Sequence, residues 1–131
     1  MKKTPLLNAA LSHAIARMGH GDLLVIGDAG LPIPPGVRCI DLAVTRGVPA
    51  FGDVLRAVLG ELQVERAVVA AELARHPAGL RAQIAALLPD IGIEDLPHAQ
   101  LKVLTQQAAA IVRTGEFTPY ANIVLIAGVT F

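Results

Sequence analysis

Once nucleotide fingerprints and metal-ligand spacings are sought and not found, the side chains in this 131-residue sequence that could do chemistry are histidine, aspartate, tyrosine and amide. Gly19-His20-Gly21-Asp22 suggests a dinucleotide turn, but the third glycine is missing and the glycines precede an apolar run instead of following it into a helix. There is no Walker lysine pattern, no His-Glu-x-x-His pair and no Gly-x-Ser-x-Gly elbow. The remaining groups suit proton transfer and hydroxyl recognition. His20 lies between a helix end and a strand, a loop position open to a functional side chain, though a surface-turn histidine fits the same pattern. His98 falls in the first turn of an expected helix, where the dipole disfavours imidazolium and leaves a neutral donor and acceptor; an exposed helix-start histidine has the same spacing. Asp28 ends an apolar strand, and ligands of open α/β sheets bind beyond such carboxyl ends, but aspartate there also caps turns. Tyr120 and Asn122 flank the start of the final strand, where phenol and amide hold sugar hydroxyls or cap a turn. His13 and His76 have no supporting surroundings.

Those side chains need a frame. Leu11, Ala14, Ile15 and Met18 recur at helical spacing, with Asn8 placed to cap the helix and Gly19 to end it. Leu23-Leu24-Val25-Ile26, bounded by glycines and aspartates, has the continuous apolar character of a central strand covered on both faces. Pro32, Pro34 and Pro35 forbid a helix next and make Asp28 to Val37 an extended, stiff loop. A short strand is expected over Cys39 to Ala43. Pro49 suits a first helical position, ahead of Phe51, Val54, Leu55, Val58, Leu59 and Leu62 at helical spacing. A buried strand is expected over Arg66 to Ala71, then a helix opened by Pro77 with Leu80, Ile84, Leu87 and Leu88 as its stripe, then a weak strand at Ile91 and Ile93. Pro97 is expected to open a long helix through Leu101, Leu104, Ala108, Ile111 and Val112 to near Gly115, before a last strand from Asn122 to Ala127. Helices alternating with apolar strands imply a three-layer α/β/α fold with a largely parallel sheet, because parallel neighbours need crossover helices.

The length suits one domain, residues 1–131, with no linker or repeat. An apolar content of 53% against 17% charged excludes intrinsic disorder and leaves hydrophobic surface for partners, which points to a homo-oligomer. Eleven basic and eleven acidic residues cancel, and one Tyr, three Phe and no Trp offer few stacking platforms, so nucleic acid is not an expected partner. Cys39 is the single cysteine, which rules out an internal disulfide or multi-thiolate metal site, favours the cytoplasm, and reads as a small buried hydrophobe. The longest apolar run, Ile123 to Val129, is too short to span a membrane. Lys2 and Lys3 ahead of Leu6 and Leu7 imitate a signal peptide, but Asn8, Ser12, His13 and Arg17 break the apolar stretch, which reads as the first amphipathic helix.

Longer blocks narrow the function. Met18-Gly-His20-Gly-Asp22, Asp28-Ala-Gly-Leu-Pro-Ile-Pro34, Ile40-Asp-Leu-Ala43, Gly115-Glu-Phe-Thr-Pro-Tyr-Ala-Asn-Ile-Val124 and the final Ala127-Gly-Val-Thr-Phe131 closely resemble the D-ribose pyranase family, in order from Met1 to Phe131. The stretch between Pro77 and Pro97 is shorter than in familiar members, and His98 is aligned by counting back from Gly115-Glu116. The resemblance implies interconversion of pyranose and furanose D-ribose without cofactor or metal, with His20 as proton donor. It further implies that Asp28, His98 and Tyr120-Ala121-Asn122 bind the sugar, and that the chain assembles as a homodecamer. A fucose mutarotase shares the His-Gly-Asp and Tyr-x-Asn segments, and a non-catalytic sugar-binding protein could use the same pocket. Strand length adds a separate expectation: if residues 22–27 are extended, His20 and Asp28 begin roughly 20 Å apart while a pentose is about 6 Å across. Either the chain around His20 folds back sharply, or, the arrangement favoured here, one sugar meets Asp28, His98 and Tyr120 of one subunit and His20 of its neighbour.

Overall fold

Asn8 accepts the Leu11 N–H on its side-chain oxygen at 2.9 Å, satisfying one of the unpaired donors that begin every helix. In the computed structural model, which describes residues 1–76 and 79–131, the helix it starts is α1, Ala9–Arg17, burying Leu11, Ala14 and Ile15. The succeeding elements are β1 (Leu23–Gly27), β2 (Cys39–Asp41), α2 (Phe51–Leu59), β3 (Val64–Ala70), α3 (Leu80–Leu87), β4 (Gly92–Leu96), α4 (His98–Leu104), β5 (Ala110–Arg113) and β6 (Ile123–Ala127). Short 3-10 turns cover Ala71–Arg75 and Thr105–Gln107.

The strands form one sheet in the order β2-β5-β1-β6-β3-β4. β5 runs parallel to β1 and β2, and β3 parallel to β4, as the crossover rule requires. β6 is antiparallel to both neighbours, β1 and β3. It follows β5 through a loop with no crossover helix, so it returns in the opposite direction and the sheet is mixed.

Alternation along the central strands builds two separate cores. Leu24, Ile26, Val112, Ile123 and Leu125 face a cluster with Leu11 and Ile15 of α1, Phe51, Leu55 and Val58 of α2, and Ile84 of α3. Val25, Ile111, Val124 and Ile126 face the opposite way, onto Leu101 of α4 and Leu31 of the proline-rich loop. The α/β/α layering is therefore present but lopsided, with three helices on one face and one on the other.

Several sequence expectations are corrected. The long helix after Pro97 does not form: α4 stops at Leu104, and Ala110–Arg113 is a strand. Thr105 turns its hydroxyl back to the Lys102 carbonyl at 2.7 Å, a bond that competes with continued helix. The Ala109 N–H then finds the Leu23 carbonyl at 2.8 Å and docks the chain beside β1. Cys39 is exposed, because β2 is an edge strand on which only Ile40 points inward. Pro49 lies ahead of α2, whose N-cap is Ala50. Leu62 follows the end of α2 and is still buried in the core. The expected helix start at Pro77 lies outside the described residues; α3 begins at Leu80 after a left-handed Gly79.

Candidate active site

β1 ends at Gly27, a position with no room for a side chain: one there would collide with Leu31 and come within 3.1 Å of Asn122 Oδ1. Asp28 follows, at the carboxyl end of a central strand. Its carboxylate Oδ1 accepts the Gly30 N–H at 2.8 Å, an Asx-type turn, and its own N–H donates to Asn122 Oδ1 at 3.2 Å. Burial pushes the Asp28 carboxyl above its ordinary value, although hydrogen bonds from the Gly30 N–H, the Asn122 side chain and the Leu31 N–H oppose the rise.

Asn122 is fully buried just before β6. Because its oxygen accepts the Asp28 N–H, its amide nitrogen must face His98 Nε2, 3.2 Å away. An amide nitrogen donates, so His98 accepts at Nε2 and carries its proton on Nδ1, the neutral tautomer. The His98 backbone N–H is bound by both oxygens of Glu72, at 3.1 and 3.0 Å, which fixes the first turn of α4. Tyr120 meets His98 edge to face, with ring centroids 5.1 Å apart and planes at 83°. Tyr120 holds a left-handed backbone, φ 64°, unusual for a bulky residue. The Ala121 methyl is buried in the core, so this residue offers the site its main chain only.

Glu116, to which the sequence reading gave no role, organises the rim. Its carboxylate accepts N–H groups of Phe51 (3.3 Å), Phe117 (3.1 Å) and Thr118 (3.1 Å) and the Thr118 hydroxyl (2.8 Å), while its carbonyl accepts the Ala29 N–H at 2.9 Å. Burial raises its pKa, but the bonds from Thr118, Phe51 and Phe117 outweigh that and leave it below the usual carboxylate value. A cavity of about 320 Å³, the low end for small-molecule sites, is lined by Asp28, Ala29, Gly30, Glu116, Phe117, Thr118 and Pro119.

His20 is not part of this cluster. It sits in the turn before β1, at the opposite end of the strand. There Asp22 Oδ2 accepts the Gly19 N–H at 2.8 Å and the imidazole Nε2 lies 2.8 Å from Glu65 Oε2. The five residues of β1 alone place about 13 Å between Leu23 and Gly27, and His20 and Asp28 lie further out on either side. One chain therefore gathers Asp28, His98, Tyr120, Ala121 and Asn122, and leaves His20 apart. Glu65 and Glu72 were invisible to sequence reasoning because their partners lie 45 and 26 residues away; Glu116 stood inside the 115–124 block, but its reach to the Phe51 N–H, 65 residues away, was not legible there.

A neutral histidine, a carboxyl and a buried amide thus stand together beyond the carboxyl ends of the parallel strands, where open α/β sheets bind small molecules, and groups of these types suit hydroxyl recognition and proton transfer. The chain belongs to the RbsD / FucU transport protein family, whose model matches residues 1–130. It is 61% identical to a D-ribose pyranase of Pseudomonas putida (strain GB-1) and 53% identical to one of Chloroflexus aggregans, covering 100% of both chains in each case. Among solved structures it is similar to Bacillus subtilis RbsD complexed with D-ribose, with a TM-score of 0.96 and 45% identity over all of both chains. The fucose mutarotase of Streptococcus pneumoniae in complex with L-fucose shares the fold, at a TM-score of 0.84 and 22% identity over both whole chains.

Proposed function

We propose that this chain interconverts the pyranose and furanose forms of D-ribose, an intramolecular isomerisation needing no cofactor or metal. The observation that carries it is full-length identity of 61% to a D-ribose pyranase. The cluster of Asp28, His98, Tyr120 and Asn122 supports it, since it gathers carboxyl, imidazole, phenol and amide groups of the kinds that recognise sugar hydroxyls. In the reaction the anomeric hydroxyl loses its proton, the bond between C1 and the ring oxygen breaks as that oxygen gains a proton, and C1 with its remaining oxygen becomes an aldehyde. The C4 hydroxyl then adds to that carbon and its proton returns to the carbonyl oxygen. His20 serves as acid and base, a role worth about 10²–10⁴-fold.

Because β1 separates His20 from the cluster, the working site is composite: His20 of one subunit completes the Asp28 pocket of a neighbour. Val44, Val48, Phe117 and Tyr120 are exposed apolar side chains near that pocket, suited to burial against a second copy. The assembly is a homo-oligomer, a homodecamer if it follows the family resemblance. A cytoplasmic site of action agrees with the free, exposed thiol of Cys39. Nucleic acid and membrane are not partners in this reading. Among the described residues no helix is long and apolar enough to cross a membrane.

Saturation-transfer NMR on ribose tests the reading, since it reports which ring forms exchange. Pyranose–furanose exchange accelerated by wild-type protein and lost in His20→Ala is the expected result. Acceleration only between α and β anomers of one ring size would favour a mutarotase of the fucose type, and no acceleration would leave a sugar-binding protein.

A further inference from the structure

Glu65 lies outside the Asp28 cluster, yet its Oε2 stands 2.8 Å from His20 Nε2. β3 pairs with β6 through Val64–Ala127 and then Arg66–Ile126, which leaves Glu65 as the extra residue of a β-bulge. A bulge bends its strand and re-aims a side chain, and here Glu65 and Arg66 are both exposed between buried Val64 and Ala67. The His20 turn is anchored at the same place. Gly21 N–H donates to the Ala127 carbonyl at 2.8 Å, Ala127 N–H to the Asp22 carbonyl at 2.9 Å, and Gly128 N–H to the Gln63 carbonyl at 2.9 Å. A side chain at Gly128 would press on the Glu65 Cβ, 3.1 Å away. The turn and the bulge are thus tied to one end of β6, and their side chains meet by construction.

We propose that Glu65 is the positioning residue of His20: it accepts the Nε2 proton and leaves Nδ1 as the base that meets the sugar. A carboxylate only accepts, so a neutral His20 in this pair donates from Nε2 and keeps its lone pair on Nδ1. When Nδ1 takes the anomeric proton, the imidazolium that results faces the Glu65 charge. The same proton is then given from Nδ1 to the ring oxygen as its bond to C1 breaks, and His20 returns to its starting tautomer. The other Glu65 oxygen faces Arg66 Nε at 4.0 Å. Both His20 and Glu65 are exposed in the single chain, at 60% and 38%, so the pair is open to a neighbour's pocket.

This inference rests on the pyranase reading, and its test separates the two. Glu65→Gln keeps the shape of the bulge and removes only the charge; Glu65→Ala removes the acceptor as well. Charge-assisted hydrogen bonds being what they are, kcat for ring exchange should fall about 10- to 100-fold in both variants. KM for ribose should stay within about twofold, because Glu65 does not touch the sugar. Imidazole 15N spectra of the wild-type protein should show His20 protonated at Nε2, and Glu65→Ala should lose that preference while the signals of His98 stay in place. Wild-type kcat in the two variants, or a His20 tautomer unchanged in Glu65→Ala, would overturn the proposal. A wild-type protein with no ring exchange would sink the pyranase reading instead, and the 15N spectra would still decide the role of Glu65.

Discussion

Asn122 joins a backbone N–H on Asp28 to a ring nitrogen on His98 while being wholly buried. Asn122→Ala would strand both groups, and an unsatisfied buried polar group costs about 1–3 kcal/mol. Chemical denaturation should show a loss of that size, accompanied by loss of ribose binding in titration calorimetry. Asp28 behaves differently. Burial disfavours its charge, so the folded protein bears a cost whenever Asp28 is ionised, that is, above its raised pKa. Asp28→Asn should therefore raise the melting temperature at neutral pH while weakening ribose binding. The gain should vanish as the pH falls below the ordinary carboxyl value of 3.8, where Asp28 itself is protonated in both states. Equal melting temperatures at neutral pH would contradict the burial account.

At the scale of elements, the site depends on how closely two loops approach. A side chain at Gly115 would run into the Val48 and Thr45 carbonyl oxygens, rigid backbone that cannot turn aside. Gly115→Ala should destabilise the fold by about 3 kcal/mol, the upper range for overpacking, and shift the Glu116–Tyr120 loop enough to weaken binding. Differential scanning calorimetry measures the first effect. Phe51, fully buried in the larger core, gives a control in the same neighbourhood: Phe51→Ala should cost about 3–5 kcal/mol through the cavity it leaves. The contrast between α4 and β5 shows what element prediction lacked. Leu101, Leu104, Ala108, Ile111 and Val112 have helical spacing, and alanine at positions 108–110 favours a helix. Ile111 and Val112 also form part of a short apolar run, and the vacant edge of β1 settled the matter through parallel pairing from Leu24–Ala110 to Gly27–Arg113.

For the molecule as a whole, β1 separates His20 from Asp28, and the proposed composite site would make assembly part of catalysis. Mixing inactive His20→Ala with inactive Asp28→Ala should restore partial exchange activity, because a hybrid interface joins an intact His20 to an intact Asp28 pocket. Light scattering should report a mass well above that of one 13.6 kDa chain. Hybrids that form, as followed by native mass spectrometry, and stay inactive would confine each site to one chain.

Local patterns by themselves determined the first helix, the central strand, the proline-rich loop and the final strand, since burial of an amphipathic or doubly covered segment repeats at a period visible within a few residues. They also singled out His20, Asp28, His98, Tyr120 and Asn122 as chemistry-bearing residues at element ends. Only the tertiary structure decided the direction of β6, the end of α4, the outward face of Cys39 and the carboxylates of Glu65, Glu72 and Glu116. The direction of β6, the docking of β5 beside β1 that follows α4, and the bonds of Glu65, of Glu72 and from Glu116 to Phe51 depend on partners far away along the chain, and a contact between distant segments leaves no periodicity in either of them.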